Sequence, residues 1–390
     1  MPDFILHPPE QDALVTLLQR LLQFPTEDPP GREIEIAQFV HKTVTAMGME
    51  SELDEFLPGR ANVVARVKGS GANPGLVFSA HFDTMTIGTQ AWQHPPFGGE
   101  IHNGKVYGRG ASDMKSGMAA MVMAAQQMMR WQDQLQGDLI LAFTAGESSN
   151  CIGAKRMVAR GDLDDAGAII VSEPSSLRIL LAETGTWWVK AIATGVSGHS
   201  SGASGGLSTG SNAILKLVDL INKLQTFQFD VEPHPLLGMP TISIGTIQGG
   251  SAVNQTPDYA ELGLDVRFLP NMTTDAMLTD LQTLAGPDIR FETIDLKPPI
   301  KIHEDHPLVH ITADAVHDCW GHIDPPGGVA YYSDAVIFSP ALDIPRVIIG
   351  PGELGFSGTV DEYVDIEKLI ASAAIYQQIA YEYCNQSLEI

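Results

Sequence analysis

Apolar positions in the first half of the chain switch between helical spacing and short continuous runs. The spaced segments predict amphipathic or buried helices, and the continuous runs predict strands buried on both faces. The predicted helices span residues 10–24, 33–47 and 114–129, and the predicted strands span residues 62–67, 76–80, 139–145 and 168–171. Strands that alternate with helices in this way are typical of a mostly parallel sheet, so we expect an α/β domain.

The pattern changes after Glu183, where the strands alternate more clearly between apolar and polar residues. The elements follow the order βαββαβ, with strands at 187–194, 241–247, 259–268 and 289–296 and helices at 212–227 and 273–285. That order is typical of a ferredoxin-like α+β sandwich. The first pattern returns near Pro298. We therefore predict that residues 184–296 form a small domain inserted into a larger one, which consists of residues 1–183 and 297–390.

Composition narrows the possible partners. The chain has 390 residues, with 23 Lys and Arg against 47 Asp and Glu, a net charge of −24. Such a surface repels phosphate backbones and anionic lipids, so we expect neither a nucleic-acid nor a membrane partner. The 3 cysteines form no CxxC pair, which argues against a disulfide framework. The N-terminus lacks a basic leader and no apolar run approaches a membrane span, so a cytoplasmic protein is expected.

Polar residues with catalytic potential stand just beyond the predicted strands. His81 and Asp83 follow LVFSA, Glu147 follows LILAFTAG, Glu173 follows AIIVS, and Asp113 ends the glycine-bearing turn GRGAS. In open α/β sheets, ligand sites form beyond the carboxyl ends of the strands, so these residues are expected to converge. The sequence therefore predicts a crevice with one imidazole and several carboxylates.

Taken one at a time, these residues have simpler explanations. Asp113 could cap the following helix, and the other acids could be solvated turn residues. Those explanations do not account for a histidine and several acids all falling at strand exits. His81 and Asp83 are two residues apart on an extended segment, so we expect the Asp83 carboxylate to orient the imidazole, as in the outer shell of a metal site.

Several segments resemble, in order, the motifs of the M20 metallopeptidases, close to the acetylornithine deacetylase and succinyl-diaminopimelate desuccinylase branch. These segments are HFDT, GRGASDMKSGMAAM, TAGES, VSEPSS, GGSAVNQTPDYAELGLDVRFLP and IGPGELGFSGTVDEYV. The resemblance runs from about residue 12 to about residue 380. It implies a zinc-peptidase-like α/β domain with an inserted lid or dimerisation domain, in agreement with the organisation predicted above.

The resemblance also implies roles for the residues at the strand exits. His81 and Glu173 would bind one metal, and Asp113 would be the carboxylate shared between two metals. Asp83 would orient His81. Glu147 would be the general base that takes a proton from the attacking water.

In the predicted lid domain, His199 matches a histidine that reaches a neighbouring subunit's site, which implies a homodimer formed through that domain. Asn254 and Arg267 match positions that hold the substrate. The segment with Gly328 and Ser333 resembles the family's late substrate-side loop, although an ordinary turn before an apolar segment explains it equally well.

The chain departs from the family pattern at two places. The family has a second acid where this chain has Ser148, and a histidine where it has Ser357 or Gly358. Both losses fall on the same metal, so we expect one cation per subunit, zinc or else cobalt or manganese. A replacement ligand from Cys151 or from the histidines between residues 303 and 322 is a weaker alternative.

The favoured function is hydrolysis of an N-acyl or amide bond in an acylated amino acid or small peptide-like molecule. Two alternatives stay open. Glu147 could serve acyl transfer, amide formation or cyclisation with little or no metal, or the chain could be a non-catalytic binding subunit. The segment GASGG at residues 202–206 fits a nucleophile elbow, but it lies in a Gly/Ser-rich loop instead of a strand-to-helix turn, which disfavours a serine hydrolase.

Overall fold

The structure is a computed structural model that describes residues 4–199, 201 and 212–385. The chain forms two compact units. The first consists of Met1–Leu181, Ile302–Gly327 and Ser333–Ile390, and the second of Ala182–Lys301 and Gly328–Tyr332. Residues 182–183, 297–301 and 328–332, which were predicted to lie in the larger domain, group with the second unit.

The helices and strands are numbered in chain order. The helices are α1 Pro8–Leu22, α2 Ile34–Ala46, α3 Lys115–Met128, α4 Ile152–Arg160, α5 Ala213–Leu224, α6 Thr274–Ala285, α7 Pro307–Trp320, α8 Ala335–Leu342 and α9 Ile366–Asn385, with a 3-10 helix at Met129–Gln134. The strands are β1 Glu50–Leu57, β2 Arg60–Val67, β3 Gly75–His81, β4 Glu100–His102, β5 Lys105–Tyr107, β6 Leu139–Thr144, β7 Ala166–Val171, β8 Leu180–Glu183, β9 Gly185–Thr194, β10 Gly198–His199, β11 Thr241–Gly249, β12 Gln255–Thr256, β13 Tyr259–Phe268, β14 Ile289–Lys297, β15 Ile300–Lys301, β16 Gly327–Val329, β17 Arg346–Ile348 and β18 Tyr363–Asp365.

The first unit is built on a twisted sheet with the strand order β1-β2-β6-β3-β7-β17-β8. Its central strands β6, β3, β7 and β17 run parallel, and the strands at both ends are antiparallel. Every residue of β3 and β6 is buried. Because successive side chains point to opposite faces, such strands must be covered on both sides. The predicted α/β class with a mostly parallel central sheet is confirmed.

The second unit contains an antiparallel sheet with the order β11-β13-β9-β14. The element order β9-α5-β11-β13-α6-β14 matches the predicted βαββαβ pattern. Helix α5 packs on β9 and β13, and α6 packs on β14. The core between helices and sheet is apolar and includes Val189, Ala191, Leu217, Leu220, Leu262, Leu264, Met277 and Leu281.

Some elements carry too weak a pattern to be predicted from sequence. β1 has the mostly polar sequence ESELDEFL and lies at the edge of the large sheet. A separate small sheet with the order β18-β5-β4 joins segments more than 250 residues apart through strands of three residues each. Periodicity cannot be read over so few positions. Within the described part of the chain, no helix is both long enough and apolar enough to cross a membrane.

Candidate metal centre

The carboxyl ends of three neighbouring strands supply polar side chains to one edge of the large sheet. β3 ends at His81, Glu173 follows β7 by two residues, and Glu147 follows β6 by three. β3 is paired in parallel with both β6 and β7. The three side chains therefore leave the sheet at the same edge, as the sequence predicted.

Asp113 reaches this edge from a turn. The helix that follows it begins at Lys115 with Met114 as its N-cap and without a side-chain cap, so capping is not the role of Asp113. The buried Glu362 holds the turn, because its Oε1 accepts the backbone N–H groups of Ser112 at 2.9 Å and Asp113 at 3.0 Å. A further residue, Arg109, pairs with the other oxygen of Glu362. Sequence reasoning missed Glu362, which lies about 250 residues from the turn it supports.

His81, Asp113 and Glu173 bring their ligand atoms together. The Nε2 atom of His81 lies 3.2 Å from Asp113 Oδ1 and 3.6 Å from Glu173 Oε1, and the three ligand atoms lie within 4.8 Å of one another. Ligands about 2.0–2.2 Å from a tetrahedral zinc are separated by about 3.3–3.6 Å. Asp113 Oδ1 is buried and accepts no hydrogen bond from any described residue. The donor set and the free oxygen both fit a divalent cation.

The imidazole of His81 is oriented by a main-chain group. Its Nδ1 lies 2.8 Å from the carbonyl oxygen of Asp83, whereas the nearest carboxylate oxygen of Asp83 is 3.7 Å away. This corrects the expectation that the Asp83 carboxylate orients the ring. A hydrogen bond from Nδ1 to the carbonyl leaves the lone pair of Nε2 for the cluster.

The Asp83 carboxylate instead holds the turn that presents Glu147. It accepts the backbone N–H groups of Gly146 at 2.9 Å, Glu147 at 3.0 Å and Ser148 at 2.9 Å. Asp83 is fully buried, so these charge-assisted bonds form away from water. One residue thus fixes both sides of the site, with its carbonyl on His81 and its carboxylate under Glu147.

The carboxyl group of Glu147 has a raised pKa. Burial is the largest cause, and the negative charges of Asp334, Asp83 and Asp113 raise the pKa further, while His81 lowers it. A carboxyl group with a raised pKa accepts a proton more readily near neutral pH than an ordinary carboxylate does. Glu147 therefore suits the part of a general base.

The charges around the ligands raise the pKa of His81 and lower the pKa of Asp113. Burial lowers the pKa of His81, but Asp83, Asp113 and Glu173 outweigh it and raise the pKa well above its usual value. Burial raises the pKa of Asp113, but His81 and a hydroxyl from Ser357 outweigh it and lower that pKa. The cluster thus stabilises positive charge at its centre, as a cation site requires.

Ser333 and Asp334 precede helix α8 within the first unit. The Ser333 hydroxyl accepts the N–H of Ala335 at 3.3 Å, which is a turn at the start of the helix. Asp334 is buried, accepts a hydrogen bond from the Thr144 hydroxyl and has a pKa raised to about 6, mainly by burial. Its effect on the pKa of Glu147 links it to the site. The sequence signals were the resemblance of this segment to the family's late substrate-side loop and its position before an apolar segment.

The positions of the missing second-metal ligands are engaged in other contacts. The Ser357 hydroxyl donates a hydrogen bond to Asp113 Oδ2, and the Gly358 carbonyl accepts one from Arg109 at 2.9 Å. Cys151 and the histidines between residues 303 and 322 belong to no group of three closely spaced ligands among the described residues. The described structure therefore offers no support for a replacement ligand.

The other residues predicted for the site lie in the second unit. β10 pairs with β12 so that the exposed His199 faces Gln255, beside the exposed Asn254. His199 Nδ1 lies 2.8 Å from the hydroxyl of Ser201. The segment 202–206, with its GxSxG pattern, lies outside the described residues.

Arg267 is held by groups of its own unit. Its guanidinium pairs with Asp265 through two nitrogens, each at 2.9 Å, and donates to the Ala330 carbonyl at 3.1 Å. Gly328 packs so closely against Leu236 that a side chain there would meet the Leu236 carbonyl oxygen at 2.8 Å. Gly328 is thus explained by local packing within the second unit.

Comparisons with known proteins identify relatives of this chain in sequence and in fold. A sequence model of the peptidase family M20/M25/M40 matches residues 77–382. The chain is 26% identical to a probable succinyl-diaminopimelate desuccinylase of Staphylococcus aureus (strain N315), over 95% of this chain and 98% of the relative. It is 25% identical to an N-formyl-4-amino-5-aminomethyl-2-methylpyrimidine deformylase of Halalkalibacterium halodurans, over 96% of this chain and 95% of the relative.

Solved structures share the fold. The M20 family metallo-carboxypeptidase Sso-CP2 from Sulfolobus solfataricus is similar with a TM-score of 0.79 at 18% identity, over 96% of this chain and 99% of that one. The aminopeptidase PepT from Bacillus cereus ATCC 10987 is similar with a TM-score of 0.76 at 21% identity, over 97% of this chain and 99% of that one. The chain belongs to the peptidase family M20/M25/M40, and it is a metal-dependent hydrolase.

Proposed function

We propose that the protein removes an acyl group from the nitrogen of a small amino-acid-like or peptide-like molecule, with one divalent cation, zinc in the first instance. The observation that carries this proposal is the convergence of His81, Asp113 and Glu173 beside Glu147, whose pKa is raised. Three protein ligands leave a fourth position open, as in catalytic rather than structural zinc sites.

His81 Nε2, one oxygen of Asp113 and one of Glu173 would hold the cation. A bound divalent cation supplies Lewis acidity, which polarises a carbonyl and makes water more acidic. Glu147 accepts a proton from the attacking water and later delivers it to the leaving amine, which is general base and then general acid catalysis. Asp83 keeps Glu147 in place through the bonds to residues 146–148.

A single cation is favoured by the contacts of Asp113. One of its oxygens faces His81, and the other accepts the hydroxyl of Ser357 instead of facing a second cation ligand. A hydroxyl at that place satisfies the oxygen by hydrogen bonding and contributes no negative charge. Ser148 likewise brings no carboxylate, so the second position lacks the charge needed to bind a divalent ion.

The substrate class is proposed from the relatives. One is named a desuccinylase and the other a deformylase, and both names describe removal of an acyl group from a small amine. We propose an N-acyl amine as the shared feature. Arg267 would bind a substrate carboxylate by exchanging its pairing with Asp265 for the ligand.

We further propose that the second unit mediates a homodimer and supplies His199 and Asn254 to the neighbouring subunit's substrate. Support comes from β11, which is an edge strand with exposed apolar residues that include Ile244 and Ile247. Exposed apolar edge strands readily pair with another chain. Sedimentation combined with assay would test this, because a fully active monomer contradicts it.

The function is tested with purified full-length protein loaded with zinc and a panel of N-succinyl, N-formyl and N-acetyl amino acids. We expect release of free amine, and we expect Glu147→Gln to lose turnover while it retains bound zinc. Turnover that survives complete removal of metal by a chelator would favour the metal-poor alternative. Zinc binding without turnover on any member of the panel would contradict the proposal.

A further inference from the structure

A second group of metal-ligating side chains lies on the small sheet of the first unit. Glu100 and His102 are two residues apart on β4, so their side chains leave the same face of that strand. His94, from the loop before β4, completes the group, and the three ligand atoms lie within 4.8 Å of one another. We call His94, Glu100 and His102 the small-sheet cluster.

The distances within the small-sheet cluster match a cation's coordination shell. Glu100 Oε2 lies 3.2 Å from His94 Nδ1 and 3.4 Å from His102 Nε2. Ligands of a tetrahedral zinc are separated by about 3.3–3.6 Å. Two imidazoles and one carboxylate form a ligand set that suits zinc and neighbouring transition metals better than calcium or magnesium, which prefer oxygen alone.

Contacts outside the ligand atoms hold this arrangement. The ring of His94 packs against the ring of Tyr107 with centroids 4.0 Å apart, and Tyr107 is the partner of Glu100 across the β4–β5 ladder. The backbone N–H groups of Gln93 and His94 donate to Asp361 Oδ1 at 2.8 and 3.0 Å. The loop that carries His94 is therefore fixed against β5 and against Asp361, which lies just before β18, and both strands belong to the same small sheet as β4.

We infer that the small-sheet cluster binds a zinc-class divalent cation, separately from the centre formed by His81, Asp113 and Glu173. The protein supplies three ligands, and solvent supplies the remaining position because the side chains of Glu100 and His102 are 42% and 53% exposed. The cation would tie the loop before β4 to the small sheet. This site is independent of the proposed function and has no assigned step in the reaction.

The experiment measures zinc bound per chain after equilibration of the full-length protein and removal of free metal. The variants are His81→Ala, His102→Ala and the double variant, with His303→Ala as the control, since His303 forms only an exposed pair with Asp305. We expect His102→Ala to bind one zinc fewer than the unaltered chain. The reason is that loss of this ligand should weaken the affinity of the small-sheet cluster for zinc at least about 100-fold. We expect His303→Ala to bind the unaltered amount.

The measured quantity is the difference in zinc content between the variant and the unaltered chain, so it does not depend on the number of ions at the centre formed by His81, Asp113 and Glu173. Against the His81→Ala background, addition of His102→Ala should remove the remaining zinc, and Glu100→Gln provides a second, nearly isosteric way to remove it. Equal zinc content in the unaltered chain, His102→Ala and Glu100→Gln would overturn the inference. It would show that the small-sheet cluster is held by hydrogen bonds alone.

Discussion

The first unit carries two clusters of three ligands in contrasting surroundings. The side chains of His81, Asp113 and Glu173 are 5–21% exposed at the end of a parallel sheet. Those of the small-sheet cluster are 21–53% exposed, on a short antiparallel strand and the loop before it. The first cluster has Glu147 beside it, buried and with a raised pKa. A cation bound in either cluster would therefore meet different surroundings despite the similar spacing of the side chains, because burial and a neighbouring carboxyl group with a raised pKa influence what such a cation can do.

The two clusters are also supported in comparable ways. In each, a carboxylate outside the ligand set accepts successive backbone N–H groups: Asp83 under residues 146–148, and Asp361 under residues 93 and 94. Asp83 is fully buried, whereas the N–H groups bound by Asp361 are partly exposed. A carboxylate that accepts successive N–H groups thus holds the buried turn of Glu147 in one place and a surface loop in the other.

The largest effect is expected in kcat/KM, when the variants His81→Ala and His94→Ala are compared. Loss of a ligand from the main centre should lower kcat/KM on an N-acyl substrate by on the order of 10³-fold or more, because the Lewis acid is lost or displaced. His94→Ala should leave kcat/KM within about twofold of the unaltered enzyme. Steady-state assays of both variants, with zinc content measured in parallel, check this. A large loss of kcat/KM in His94→Ala would contradict the separation of the two clusters.

The next effect compares Asp83→Asn with Asp361→Asn. The neutral amide in the first variant has one acceptor oxygen for three backbone donors, so the free energy of unfolding should fall by roughly 2–4 kcal/mol. We also expect kcat to fall, because the turn that carries Glu147 is held less firmly. Asp361→Asn should lower the free energy of unfolding by only about 1 kcal/mol, because the amide keeps the one oxygen that accepts both N–H groups and loses only the negative charge.

Urea unfolding of both variants, together with assays, measures this difference. Asp361 has a φ of 56°, a backbone conformation that asparagine tolerates, so backbone strain does not confuse the comparison. Equal losses of stability in the two variants would show that burial of Asp83 is not what distinguishes the two supports.

A gain of binding sharpens the contrast within the main centre. Ser148→Glu combined with Ser357→His would replace two neutral side chains with the kinds of ligand that the family pattern has at these positions. We expect one additional zinc per chain, measured by elemental analysis, because the added carboxylate offsets part of the charge of a second cation and the added neutral imidazole donates a lone pair to it. The single variants serve as controls. Unchanged zinc content in the double variant would show that the geometry, and not only the missing ligands, excludes a second ion.

The smallest effect concerns Asp138, a carboxylate outside both clusters. Burial raises its pKa, but the N–H of Gly69 and the charges of Lys68 and Arg66 outweigh burial and lower it. A lowered pKa stabilises the fold above the unfolded-state value near pH ~3.9, and this contribution disappears as the pH falls through the folded-state pKa. Asp138→Asn should lower the free energy of unfolding by about 1–2 kcal/mol at about pH 7, and by progressively less below about pH 4.

Denaturation curves of Asp138→Asn and the unaltered chain between about pH 7 and about pH 3 test that sign. If the difference in the free energy of unfolding between the two chains grows as the pH falls, the carboxylate is not stabilised in its charged form. Because Asp138 faces no cation cluster among the described residues, its pH dependence should be the same with and without zinc.

The sequence predicted much of the fold because long apolar runs carry a clear periodicity. The strands that became β3, β6 and β7, and the long helix α3, were recognisable from their own residues. The short strands β4, β5 and β18 were not, since three residues give no period and their partners lie far along the chain. The small-sheet cluster went unrecognised for the same reason.

The sequence by itself determined which chemical groups stand at the strand exits, because the end of each apolar run and the identity of the next residues are local properties of the sequence. Only the tertiary structure decided how those groups are used. It placed the carbonyl rather than the carboxylate of Asp83 on His81, and it placed Glu362 under the turn that carries Asp113. Those partners are 2 and 249 residues apart. Which atoms meet depends on side-chain rotamers and on the path of distant loops, and neither is written in the pattern of apolar and polar positions.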